Sequence, residues 1–486
     1  MVMSFRVRPA NELEAYKKYL RDHGEKLELS QVQPPPVAPE SNAVNEVQKA
    51  FGMIEATAAK NPEAMQMVAP GKALIGWSQP DARGYDFTNS WEEFATVVES
   101  DRPAFELLHT VLTRPKLDFQ LDYKKGVNLL LPQLAPLKLS TQKLSAACIL
   151  DMHQGDTSAA VTNILTMLAL VHKNAGEGLL ISHLVRIALV SFAVAPTWEL
   201  LQTTNVTGAQ LAAVQAGWEQ MDCLRDAENA FETDRAWSLE LLQKCRVEGG
   251  ISGMSGSGSS GGSWTWPPDW HELADNARSG VGETLWRSSW SYSDELCLLK
   301  RYQIIMEAAR AMQTNHSGNF KADYDAMTAR LASVDVTNEG AAFFRILTIP
   351  DFSDLFRVAS LPATLRKTLR IIAARDVVVT AIALKRYQLQ HGAWPETLAA
   401  MVPALLPSVP IDPYDGKPLR YHPNADGTFL LYCVGEDGVD DGGDPTCPTT
   451  SSSASFYWQN DKARDWVWPQ PATPAEIQYF REHPPK

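Results

Sequence analysis

The chain has 486 residues, about three times the ~150-residue prior for one domain, so a single small module is excluded and a sizeable core is available. Lys and Arg number 44 against 57 Asp and Glu, a formal net charge of −13, and because phosphate recognition needs clustered cations, nucleic acid is excluded as an expected partner. An apolar share of 45% with 21% charged residues is ordinary globular usage and rules out wholesale disorder.

The opening, MVMSFRVRPANELEAY, lacks the apolar core of a secretory signal, so export is not expected to be encoded here and any membrane contact would need an anchor outside this chain. Asn11 is placed to cap a helix whose apolar side is Leu13, Tyr16 and Leu20, with Gly24 ending it. A Pro-rich spacer at 33–39 closes an amino-terminal segment, 1–44.

From 45 to 248 the apolar spacing is helical, and Ser90 to Glu93 reads as a capping box. Within LSAACILDMHQGDTSAAVTNILTMLALVHKN one apolar run stops at Gly155 and Asp156 caps the next, which predicts a helical hairpin. Its turn and small Ala residues resemble α-solenoid units, although a clean 34-residue period is absent, so the body is expected to be an irregular helical bundle or α-solenoid-like. The most apolar stretch, Leu179 to Pro196, is interrupted by His183 and Arg186 and is too short in uncharged residues to span a bilayer. His153 and His183 read as core or groove histidines.

Residues 249–263 are almost wholly Gly and Ser and form a tether; its Gly258 to Gly262 string matches the nucleophile-elbow pattern only by composition, with no apolar strand before Ser260. Across 264–360 a Trp-rich segment follows. Trp264, Trp266 and Trp270 are candidate ligand-binding platforms, and together with Trp286 and Trp290 they could equally pin an irregular segment onto the body.

The last unit, 361–486, is expected to fold by itself as a long helix plus a three-stranded antiparallel sheet. Leu365, Leu369, Ile372, Val379 and Ala383 mark the helix and Gly392 ends it. Arg366, Lys367, Arg370 and Arg375 form a solvated or internally paired cationic face. Strands are expected at Pro418 to His422 and Thr428 to Val434, joined by a turn at Asn424 to Gly427, with a third at Ser455 to Trp458.

The run Arg386 to Gly392, then Trp394-Pro395, then Asp412-Pro-Tyr-Asp-Gly-Lys-Pro418, then Leu431-Tyr-Cys-Val-Gly-Glu-Asp-Gly438 resembles the soluble part of the major pseudopilin of type II secretion systems, over about 365–445. The whole arrangement resembles bacterial envelope proteins that pair an anchor, a helical body and a pseudopilin-like tail, which implies the periplasmic side of the cell envelope. In the pseudopilin family the loop after the tyrosine-containing strand binds calcium; the resemblance carries that role onto Asp437, with Asp440, Asp441 and Asp444 following. Four carboxylates interleaved with glycines suit a hard cation, but the loop is no EF-hand, since Val439 and Pro448 stand at its third and twelfth positions.

The six cysteines contain no C-x-x-C, so a zinc ribbon is not expected; Cys148, Cys223, Cys245 and Cys297 read as buried thiols, while Cys433 and Cys447 flank the acidic loop and could be bridged. HExxH and phosphate-loop motifs are absent, and no residue stands out as catalytic. The expected function is a non-enzymatic scaffold taking a protein or peptide in a helical groove, with calcium stabilising the last module. The alternative is an envelope hydrolase acting on glycan or peptide, with a Trp-lined cleft and paired carboxylates.

Overall fold

The computed structural model describes residues 2–58, 91–248, 286–287, 291–315, 317–336, 360–446 and 464–470. The tether, the segment bearing Trp264, Trp266 and Trp270, the predicted strand at Ser455 to Trp458, Ser90, Ser260, Trp290 and Cys447 lie outside them.

Helices dominate: α1 (Val2–Asp22), the single turn α2 (Leu29–Val32), α3 (Val44–Ala58), α4 (Trp91–Thr113), α5 (Leu134–His153), α6 (Thr157–His172), α7 (Leu180–Gln202), α8 (Gly208–Glu219), α9 (Cys223–Glu248), α10 (Ser291–Thr314), α11 (Phe320–Val336) and α12 (Ser360–His391). The first differs from expectation. Asn11 lies inside α1, which continues through Pro9, while Gly24 (φ +80°) follows its end as predicted.

The predicted hairpin is α5–α6. Its turn works as the residue types require: Gly155 takes φ +84°, and the Asp156 carboxylate accepts the Ala159 N–H at 2.9 Å. Each layer packs on the next, α3 on α4, α4 on α5 and α6, α5 and α6 on α7, and α9 on α10. Buried charges are paired between layers. Lys143 meets Asp101 at 2.8 Å, and Arg102 and the Asn163 amide both donate to Asp151. His153, read as a core or groove residue, is instead exposed as the last residue of α5, beside the turn at Gly155.

The sheet has the order β1 (Arg420–Pro423), β2 (Phe429–Cys433), β3 (Trp466–Val467), antiparallel throughout, with Arg420 opposite Tyr432 and Cys433 opposite Trp466. The first two strands stand where the sequence puts them. The third strand seen is the two-residue Trp466–Val467, and its place is fixed by the Asp465 carboxylate, which accepts the Gly443 N–H at 2.7 Å, and by the Trp468 N–H donating to Leu431 at 2.8 Å.

α12 belongs to both parts of the molecule. One side covers β2, while others pack on α7, α8 and α9, so a single apolar core runs from Leu13 to Trp468. Polar ties cross the same boundary: the Trp198 indole donates to the Pro469 carbonyl at 2.9 Å, Gln215 to the Leu405 carbonyl at 2.8 Å, and Arg375 to the Met221 carbonyl at 2.8 Å.

Candidate functional site: the seam between α7 and α12

α7 and α12 run side by side in the same direction. His183 meets Thr368 near their starts at 2.9 Å, Ile187 and Val194 face Ile371 and Ala374 further along, and Leu201 faces Ala381 and Lys385 near their ends. By length and mean hydropathy α7 is a helix that could cross a membrane, yet it is packed between α5, α6, α9 and α12. Its two interrupting residues, His183 and Arg186, are each only 2% exposed. Burial beside Arg186 pushes His183 down to about 3, so it is a neutral core histidine, as read from the sequence.

Beneath the start of α7 lies a closed polar centre. Arg186 is 3.9 Å from Asp226, whose carboxyl burial pushes up to about 6, and Gln133 donates to Glu177, also shifted up by burial. These groups hold α7, α9 and the turn before α7 together.

Two openings lie along the seam. The first, of about 140 Å³, sits where the helices meet the sheet, with Leu201, Ala381, Trp394, Phe429 and Trp468 as walls and Gln202, Lys385, Gln388, Thr428 and Gln470 around them. Local structure fixes its aromatic edge. The Trp394 indole donates to the Gly427 carbonyl at 2.7 Å and its ring meets Phe429 edge-on, centroids 4.8 Å apart, while the Tyr421 hydroxyl donates to Pro395 at 2.8 Å. The second opening, of about 230 Å³, lies higher, between Ile187, Ser191 and Val194 and the Lys367–Ala374 face of α12. The expected cationic face is partly paired internally: Arg370 reaches Glu436 at 2.6 Å, Arg375 reaches Asp376 at 2.8 Å, and Arg366 stands 3.9 Å from Glu436.

The acidic loop follows β2, just after Glu436. Asp437 accepts the Val439 N–H at 3.0 Å. Asp440 accepts from the Tyr432 hydroxyl at 2.9 Å and from Arg420 at 3.1 Å, and Asp441 and Asp444 face Arg464 at 3.5 and 3.7 Å. Arg420 also binds Asp415 and the fully buried Asp412, whose carboxylate takes the Val434 N–H at 2.8 Å. Among the described residues no three His, Cys, Asp or Glu side chains are grouped to hold a metal ion. Cys433 is a buried free thiol in β2, and Cys148 and Cys223 are buried thiols pushed up by desolvation.

Of the tryptophans singled out in the sequence, Trp286 is buried and donates to Asp294 of α10 at 2.8 Å. The tryptophans that edge the groove, Trp394 and Trp468, were not among the predicted platforms. One signal marks the first, since Trp394 stands before Pro395 just after the end of α12, whereas Trp468 follows a strand too short to carry a period. No protein-family model, curated protein or solved structure matches this chain.

Proposed function

We propose that the protein is a non-enzymatic scaffold of the bacterial cell envelope that docks a peptide or helix of a partner protein at the lower end of the α7–α12 seam. The observation that carries this reading is the open aromatic groove edged by Trp394, Phe429 and Trp468, apolar at its floor and rimmed by amide and hydroxyl groups and by Lys385. Such a groove accepts an apolar side chain while amides take its backbone, the usual division between affinity and specificity in peptide capture. The envelope placement and the pseudopilin-like character of the helix-plus-sheet module rest on the sequence resemblance.

The test is selection of displayed peptides on the full chain, followed by binding to variants that plug the groove from its rim, Gln388→Trp and Thr428→Trp. Selected peptides should share an apolar anchor and lose binding to both variants. Peptides that bind the plugged variants unchanged would overturn the assignment.

Calcium stabilisation of the last module belongs to the same proposal. Asp437 offers one carboxylate oxygen with no hydrogen-bond partner among the described residues, whereas Asp440, Asp441 and Asp444 would have to exchange Arg420 and Arg464 for the ion. Calcium is expected to raise the melting temperature, and Asp437→Ala to abolish the rise; an unchanged melting curve at saturating calcium removes the ion from the account.

A further inference from the structure

The upper opening of the seam differs in chemistry from the lower one. On α7 it is lined by residues 187, 191 and 194, on α12 by residues 367, 370, 371 and 374, spacings that place each set on one helix face. Val194, Ile371 and Ala374 form a buried apolar floor. The Ser191 hydroxyl donates to the Ile187 carbonyl at 3.1 Å, so it brings no spare donor into the slot.

Among the described lining residues, charge comes from α12 alone. Arg370 is committed to Glu436 and lies 5.8 Å from the Trp466 ring. Lys367 is exposed at the rim and makes no hydrogen bond or ion pair with another described residue. The result is an apolar slot with an available ammonium group at its mouth, on a chain whose overall charge is −13. Glu436, the carboxylate near this mouth, is already held by arginines and does not oppose an incoming anion.

Size narrows the occupant. An apolar cavity of about 150 Å³ admits a benzene ring, and this slot, at about 230 Å³, has room for one ring or a medium-length alkyl chain. A neutral hydrocarbon would leave Lys367 unused, and an amphipathic cation would meet it as a like charge.

We propose that the slot binds a small amphipathic anion, a carboxylate on a medium-length alkyl chain, with the chain between α7 and α12 and the carboxylate on Lys367. The site is independent of the peptide groove, which lies at the opposite end of the seam.

Titration calorimetry of the full chain with octanoate, octanol and octylammonium tests this directly. Octanoate should saturate one site and bind at least about tenfold more tightly than octanol, the worth of one charge-assisted contact. Lys367→Glu should remove that advantage while leaving octanol binding as it was, Lys367→Arg should retain it, and Ser191→Phe should abolish octanoate binding by filling the slot. Because Lys367 is exposed, its variants should melt like the parent protein. Equal binding of octanoate and octylammonium, or an unchanged octanoate affinity in Lys367→Glu, would overturn the proposal. Gln388→Trp, which plugs the peptide groove, should leave octanoate binding intact, so either assignment can fail alone.

Discussion

Replacing Glu25 by Gln tests the buried ion network that ties the first helix to the body. Glu25 follows α1, accepts from Arg235 on α9 at 2.9 Å and from Gln303 on α10 at 3.0 Å, and also pairs with Arg310 of α10. These partners hold its carboxyl at about 2, against an ordinary value of 4.5. A depression of that size corresponds to about 3 kcal/mol of stability near neutrality. Arg310 is 35% exposed, however, so solvent screens part of the interaction and about 2 kcal/mol is the expected loss. Since the folded pKa is depressed, the contribution is fully present above pH 4.5 and is lost as pH falls through about 2. Urea unfolding of the parent and Glu25→Gln at pH 7 and at stepwise lower pH should show a midpoint difference that shrinks below pH 4.5 and closes near pH 2. A difference independent of pH, or one below about 0.5 kcal/mol at pH 7, would refute the reasoning, because a buried pair that loses a partner should cost more than a surface pair.

Asp226 should behave with the opposite sign. Burial raises its folded pKa to about 6, so the stability it contributes is present below about pH 4 and lost as pH rises through 6. The stability of the parent relative to Asp226→Asn should therefore decline over that window in equilibrium unfolding. The fragment 360–486 is expected to show no cooperative melting by circular dichroism, because α12 buries Leu365, Leu369 and Ile372 in a core it shares with α7, α8 and α9. Trp198→Phe keeps most of the ring volume but removes the indole donor to Pro469, and should lower stability by about 1 kcal/mol, read from the urea midpoint.

Much of this architecture is legible in the sequence because its signals are local. The α5–α6 hairpin announces itself through Gly155 and Asp156, α12 through its apolar period and Gly392, and β1–β2 through the turn ending at Gly427, which takes φ +83°. β3 escapes because two residues carry no period. The role of α12 in both parts of the fold escapes for another reason. Its apolar residues show that it is buried, but no local pattern says against which partner, and contacts such as His183 to Thr368 join residues 185 apart. The same holds for Glu25, Arg235 and Arg310: each reads as an ordinary surface charge until the fold brings three distant elements together. The groove follows from that arrangement too, since Leu201, Ala381, Trp394 and Trp468 come from four separate stretches of chain.

The most direct test of the seam as the working surface is photocrosslinking in cells that produce the full chain, with benzoylphenylalanine at Gln388, at Thr428, or at Leu130, which is 80% exposed and remote in sequence from the seam. The account predicts one discrete adduct shared by positions 388 and 428, absent at 130, and lost when Gln202→Trp plugs the groove. Adducts that are the same at all three positions, or that persist in the plugged variant, would contradict it.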